Sequence, residues 1–502
     1  MADLDTKAPA CLAPISSDDA ANMDIGVLGQ QPGMQIYTQI TYCYAVPDGN
    51  SRRRAHIVST LQNGLARLAA AFPWLAGRVA YVEDDAAAAA AAAEGSGRYR
   101  FRPLAATPRL VVKDLATVAP ALTMDALRQA DFPFRLLDEA VVAPRRTLPG
   151  NPDEAHLAST DTPVLLVQAG FVPGGLLLTF AAHHATMDMA GEGEVIRWLH
   201  KACRGEPFTD EELAAGNCDR RHVVPLLAAD DGDPAQYIPE QLVPVVSNHD
   251  ASPSDTPTEN WEVRAPAPCS WVYFAFSRTS LDAIKVAATA TLPPTASFVS
   301  TNDALTAFLW QAVLRARRPR LVAHNNATTT VSSTLARAVD VRACLGIPAS
   351  YPALVQTMTI HTTTVDDVCT APLGDLAARL RAALAPAHLR QRTRALATFL
   401  DRGPHAQRDV RLSFVGPVDP AAGGLMLSSW TAVPGYALDF GLGLGPAEAV
   451  RRPAFVPAVE SLGYLMPTAA DGSVAAGLCL RDADVARMRA DETFTALARF
   501  VG

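Results

Sequence analysis

No stretch of this chain approaches the run of about 18 apolar residues that a membrane-spanning helix needs. The N-terminal residues Met1 to Asp24 are polar and acidic, without the basic-then-apolar order of an export signal. Its eight cysteines (Cys11, Cys43, Cys203, Cys218, Cys269, Cys344, Cys369 and Cys479) are scattered and form no CxxC pair. Neither a disulfide framework nor a zinc knuckle is indicated, and free thiols in the cytoplasm are the expectation. Basic residues are in deficit, 43 Lys and Arg against 51 Asp and Glu, for a net charge of −8. That speaks against a broad nucleic-acid-binding face. Also missing are GxSxG, GxxxxGK[ST] and HExxH, so serine-hydrolase, phosphate-cradle and zinc-protease readings lack their residues. The expectations are no nucleic acid, no membrane, no metal and a monomer.

What is present describes a packed globular protein: 49% hydrophobic and 19% charged over 502 residues, too long for one ordinary core. Residues 1–35 read as a loose arm. Ile36 to Val46 alternates like a half-buried strand, and Ile57, Leu61, Leu65, Leu68 and Phe72 form a helical stripe ended by Pro73. Ala86 to Ala93 is low complexity, expected as a surface loop. Val164 to Phe171, the turn Pro173-Gly174-Gly175 and Leu176 to Ala182 read as a hairpin. From Gly205 to Pro268 the chain is rich in Pro, Asp and Ser, with breakers at 230–234 and 250–257, as a crossover would be. Beyond it come a strand at Trp271 to Phe276 and helices at Ser280 to Ala288 and Thr301 to Arg317. Strands are expected near Thr328 to Leu335 and Val355 to Thr364, helices at Leu373 to Leu384 and Arg390 to Leu400, and a last helix over Asp482 to Phe500. Mixed strands and helices on both sides of the crossover imply two α/β lobes, 1–205 and 269–502, joined by 206–268.

The strongest chemical signal is His183-His184-Ala185-Thr186-Met187-Asp188, at the exit of the second hairpin strand. Neighbouring strand residues point to opposite faces, so only one imidazole can face a given cavity. The same divergence argues against a metal held by His183, His184 and Asp188. An imidazole is suited to take a proton near neutral pH. Asp188 has two readings: an acceptor for the His184 ring, as in a triad, or the partner of a distant arginine. Far downstream lies Asp439-Phe440-Gly441-Leu442-Gly443, preceded by Ser429-Trp430 and Tyr436. Gly441 and Gly443 permit unusual backbone angles there, and the GxGxxG spacing of a dinucleotide fold is absent.

The HxxxD and DFGxG motifs together resemble the BAHD superfamily of CoA-dependent acyltransferases. Leu65 to Val79, Ser300 to Arg317 and Val339-Asp340-Val341-Arg342 are similar to further family segments, and Phe132-Pro133-Phe134 with Leu136-Leu137-Asp138 is closest to the trichothecene 3-O-acetyltransferase-like fungal branch. Leu442 stands where the family has Trp, and Tyr351 to Leu354 lacks the family's Gly-Asn. The resemblance implies an α/β fold of two chloramphenicol-acetyltransferase-like lobes, each a mixed sheet with helices, with a channel between them. It implies His184 as general base without an acyl-enzyme, Asp188 paired with Arg342, and Asp439, Gly441 and Gly443 as remote structural support. Ser428, Ser429 and Thr431 are candidates for oxyanion or CoA hydrogen bonds. The implied reaction is acyl transfer, with acetyl leading, from acyl-CoA as co-substrate to a hydroxyl of a small apolar secondary metabolite; no permanently bound cofactor is expected. Two alternatives remain at this stage: a carrier-protein-bound acyl donor on the same fold, which Met189 after the Asp disfavours, and a lapsed metabolite-binding protein, which intact His184 and Asp188 disfavour.

Overall fold

The computed structural model describes residues 23–31, 33–47, 51–83, 97–148, 162–244, 268–324, 331–403, 410–419 and 423–502. The alanine-rich stretch, most of the N-terminal arm and the breaker at 250–257 lie outside the described residues.

The first sheet is mixed and five-stranded, ordered Ala449–Arg451, Tyr37–Ala45, Gly175–His183, Leu165–Val172, Arg109–Asp114. All its neighbours run antiparallel except the last pair, which is parallel. The expected hairpin is its centre: Val172 pairs with Gly175 across Pro173 and Gly174, and Gly174 takes φ 76°, which only glycine adopts readily. The edge strand Ala449–Arg451 comes from the far C-terminal half, so the two sheets do not divide at one point in the chain.

Tyr37–Ala45 departs from the half-buried strand that its alternation predicts, because eight of its nine residues are buried. Ile40, Tyr42 and Tyr44 join the core under the helix Ser51–Ala71, whose Ile57, Leu61, Leu65 and Leu68 form the expected stripe. The other face is roofed by residues 115–142, where Cys43 meets Leu115, Met124, Leu127, Leu137 and Val142. Polar residues on that face bond within the protein: Gln39 donates to Arg145 O at 2.7 Å, and Thr41 and Thr179 share a 2.8 Å hydroxyl bond, while the Gln39 and Gln168 side-chain carbonyls are buried without a partner.

The second sheet has seven strands in the order Gln356–Thr364, Ser332–Asp340, Leu425–Ser429, Leu462–Leu465, Val474–Arg481, Cys269–Phe276, Arg499–Phe500. Its two faces separate with the period of a strand. Val272, Phe274 and Phe276 pack on this lobe's own helices, while Trp271 and Tyr273 belong to the core shared with the first lobe. Two lobes thus meet through a common apolar seam.

Three sequence expectations shift. The strand predicted near 328–335 lies at Ser332–Asp340, and the helix from Thr301 runs on to His324 with Pro319 inside it. The final helix stops at Ala490, because Asp491 caps a new turn, accepting from Thr493 N and Phe494 N. The chain then reverses, and Arg499–Phe500 pairs with Cys269–Phe276. The described part of the crossover is built into the body: Asp210–Gly216 is a helix with a Thr209/Glu212 capping box, and Leu242–Pro244 pairs with Val410–Leu412.

Candidate active site

A cavity of about 290 Å³ lies between the lobes. Tyr37, Thr38, His184 and Met189 line it from the first lobe, and Ala338, Gln356, Met426, Ser428, Trp430 and Tyr464 from the second. Its wall is mainly apolar, as a site for a small apolar ligand is.

His183 ends the strand opposite Tyr37, which it meets edge-on at 5.3 Å between ring centres. It is fully buried, and burial, with help from His184 and Arg145, pushes its pKa down to about 3. His184 turns the other way and lines the cavity. Its Nδ1 lies 3.1 Å from Met187 O, so the tautomer that donates there leaves the Nε2 lone pair free. Burial lowers its pKa as well, so that the ring is neutral at pH 7; the Met187 carbonyl and Asp188 act in the opposite direction.

The loop after His184 is held from outside. Arg220, fully buried and stacked 4.1 Å from the Trp74 ring, donates to Thr186 O at 3.0 Å. The 3-10 turn Val27–Gln30 presses so close that a Cβ on Gly29 would stand 2.1 Å from Ala185 O.

Asp188 does not accept from the His184 ring. It caps the helix Met189–Cys203 by accepting from Gly191 N at 2.8 Å. The rest of its carboxylate faces the second lobe: Arg342 donates at 2.9 and 3.1 Å, and Val355 N donates to Oδ2 at 2.7 Å. Both partners are almost wholly buried. Burial pulls the Arg342 pKa down, but Asp188 and Asp340 outweigh it and the net direction is up. Arg342 also donates to Tyr351 O at 2.9 Å and to Ala353 O at 2.5 Å. These contacts use main-chain carbonyls, which is why the missing Gly-Asn of this segment leaves the anchor intact.

The Asp439 loop sits at the opposite end of the same helix. Arg204, its C-cap residue, donates to Asp439 Oδ1 at 3.2 Å, and His200 Nδ1 accepts from Phe440 N at 3.1 Å. Fifteen helical residues separate it from Asp188 by about 22 Å at 1.5 Å each. Gly441 and Gly443 have φ of 64° and 65°, and Gly441 N donates to Asp439 Oδ1 at 3.0 Å. None of these residues lines the cavity. Burial raises the Asp439 pKa, but Gly441 N–H and Arg204 overcome it, leaving it below the ordinary carboxylate value.

The three hydroxyl candidates separate. Ser428 lines the cavity, and its Oγ accepts from Trp430 Nε1 at 3.1 Å, so its own O–H remains to be donated. Ser429 and Thr431 lie outside this cavity, 3.0 Å apart, and Ser429 Oγ accepts from Asn302 Nδ2 at 2.7 Å. Sequence reasoning did not anticipate Gln356, Arg452 or the Val355 amide; no motif marks them. Among the described residues no group of three His, Cys, Asp or Glu side chains could hold a metal, and no helix is long and apolar enough to cross a membrane.

If the Asp188–Arg342 pair anchors the loop, removing either partner leaves a buried charge uncompensated, worth roughly 3–5 kcal/mol. Asp188→Ala and Arg342→Ala should each lower stability in denaturant titrations. The double variant should lose less than the two losses added together, and strict additivity would refute the coupling.

Comparison with known proteins agrees with this fold. Residues 36–203 match the trichothecene 3-O-acetyltransferase-like N-terminal domain, and residues 150–495 match the Transferase family. The chain is 44% identical to the O-acetyltransferase dmxR13 of a Cryptosporiopsis species, over 95% of this chain and 97% of that one. It is 42% identical to the trichothecene 3-O-acetyltransferase TRI101 of Fusarium sporotrichioides, over 97% and 99% of the two chains. Its structure is similar to F. graminearum TRI101 in complex with coenzyme A and deoxynivalenol, with a TM-score of 0.83 at 39% identity over 96% of this chain and all of that one. A two-lobed fold with His184 at a seam cavity, and these matches across nearly its whole length, place the chain in the Transferase (BAHD) family, in the branch of the fungal trichothecene 3-O-acetyltransferases.

Proposed function

We propose that this acyl-CoA-dependent O-acyltransferase moves an acetyl group onto a hydroxyl of a small apolar metabolite, with His184 as its general base. The observation that carries the reading is the setting of His184: it faces the cavity, its Nδ1 is tied to Met187 O, and burial pushes its pKa down. An alcohol has a pKa far above 7, so a base must remove its proton as it attacks. His184 Nε2 takes that proton while the alcohol oxygen bonds to the thioester carbonyl carbon. The carbonyl electron pair moves onto oxygen, and we assign the Ser428 O–H to donate to it. Collapse expels the CoA thiolate, which recovers the proton from the imidazolium. Ester and free CoA leave, and no acyl-enzyme forms.

Asp188 is a positioning residue in this scheme, since its oxygens are taken by Arg342, Val355 N and Gly191 N. Asp439, Gly441 and Gly443 support the far end of the helix. Ser429 and Thr431, near Asn302, are assigned to the CoA side. The small molecules in the TRI101 complexes, deoxynivalenol and T-2, suggest as acceptor an oxygenated terpenoid or polyketide of similar size. We place the enzyme in the cytoplasm as a monomer; the free thiols Cys43, Cys218, Cys369 and Cys479, all buried, suit a reducing compartment.

Replacing His184 with Ala should leave a folded protein with transfer reduced ~10²–10⁴-fold, read as thiol release from acetyl-CoA, while His183→Ala is milder. Equal, high activity in both variants would contradict the assignment. The pH profile gives a second check. A base must be unprotonated, and burial holds His184 below the ordinary 6.5, so kcat/KM should be flat above pH 7 and fall only on the acid side of 6.5. A limb centred above 6.5 would mean that another group titrates. Dialysis against a strong chelator should not change the rate, and recovery on adding zinc after a loss would sink the mechanism.

A further inference from the structure

Most polar groups that line the cavity are already engaged by the protein. Tyr37 Oη donates to Pro163 O, Ser461 Oγ accepts from Arg317 Nη2 and Ser428 Oγ from Trp430 Nε1. Glu460 is paired with Arg320 and Arg481, Arg452 donates to Pro453 O and to Thr147 Oγ1, and its guanidinium lies over the Tyr464 ring.

Gln356 differs. It lines the cavity at 9% exposure, and its side-chain amide has no hydrogen-bond partner among the described residues. A carboxamide carries two N–H donors and a carbonyl acceptor, and leaving them unused in an apolar cavity is unfavourable. The Thr38 hydroxyl, from the opposite lobe, is a second lining group with no side-chain hydrogen bond among the described residues.

The position of Gln356 is fixed by the anchor that fixes His184. Val355 N is bound to Asp188 Oδ2 at 2.7 Å, and Gln356 is the next residue, opening the edge strand Gln356–Thr364. Its register partner is Asp340, whose carboxylate also accepts from Arg342. Val355 is fully buried, and strand alternation turns the following side chain to the other side, toward the cavity. One carboxylate therefore sets both the base and an unpaired amide around a single space.

We propose that Gln356 is a specificity residue that hydrogen-bonds a second oxygen function, hydroxyl or carbonyl, on the acceptor whose reacting hydroxyl lies against His184. The inference rests on the acyltransferase reading and narrows its substrate class to apolar skeletons carrying at least two oxygen functions. A site built to hydrogen-bond an oxygen rejects the analogue that lacks it, because its own polar group is then left buried and unpaired.

The test uses three acceptors on one skeleton: a bicyclic terpene mono-alcohol, its diol and its hydroxy-ketone. Binding is measured by calorimetry to the full chain with CoA present, in a His184→Ala background, and thiol release is measured with His184 intact. The diol or the hydroxy-ketone should exceed the mono-alcohol by roughly 10- to 100-fold in affinity and in kcat/KM. Gln356→Leu should reduce that ratio to within about twofold, mainly through KM, with an unchanged melting temperature. Gln356→Glu separates the two oxygen sources: as an ionised acceptor it should keep a preference for the diol and lose one for the ketone. A native protein that does not discriminate, or a Gln356→Leu variant that keeps the full ratio, overturns the proposal. Absence of thiol release with every alcohol would count against the acyltransferase reading instead, and the calorimetric ratio would still decide the role of Gln356.

Discussion

The Asp188–Arg342 pair is the constraint on which the rest of the site depends. Two residues 154 positions apart meet in a two-point ion pair from which water is excluded. Desolvating both charges is expensive, and attraction offsets it only when geometry is good and the remaining lone pairs are filled. Here they are filled, by Gly191 N from the helix behind and by Val355 N from the strand in front. The helix start is pressed so tightly against the second lobe that a Cβ at Gly191 would lie 1.8 Å from Pro352 O. Burying this pair thus sets how the catalytic loop, the helix and the edge strand of the second lobe stand to one another.

That arrangement decides the character of the proposed base. A carboxylate engaged by four donors has no oxygen to offer His184, so the ring hydrogen-bonds a neutral carbonyl, Met187 O. In a Ser-His-Asp triad the acid stabilises the imidazolium and raises its basicity. A carbonyl fixes the tautomer without adding that charge, and burial, with Arg452 in the same cavity, pushes the ring's pKa down. The loop keeps its shape through its own carbonyls: Thr186 O is held by Arg220, and Ala185 O is packed against Gly29.

Much of this was legible in the sequence, for identifiable reasons. The helix stripe from Ile57 and the hairpin around Pro173-Gly174 are local patterns, and they fold as they read. Tyr37–Ala45 misled because its alternating polar residues are buried under residues 115–142, a covering no local pattern announces. The terminal helix misled because the cap at Asp491 and the pairing of Arg499–Phe500 override a continuous helical reading. At the site, the HxxxD motif and the Val339-Asp340-Val341-Arg342 segment named His184, Asp188 and Arg342 through resemblance, whereas periodicity alone could not join positions 188 and 342.

Gln356 and the Val355 amide were not legible, and the reason is physical. A main-chain N–H is available at any residue except proline, so a sequence cannot say which one an anchor will use. Once Val355 N is fixed by Asp188, the side-chain direction at 356 follows from strand geometry, and the residue there becomes part of the cavity wall. This separates two kinds of position. In the proposed mechanism the motif residues carry the chemistry and must keep their side chains, while Tyr351 and Ala353 hold Arg342 through carbonyls that most side chains would leave in place. The main-chain anchor holds the wall while leaving its side chains free to vary, so under the proposed scheme acceptor choice can change at 356 without moving His184, four residues before Asp188.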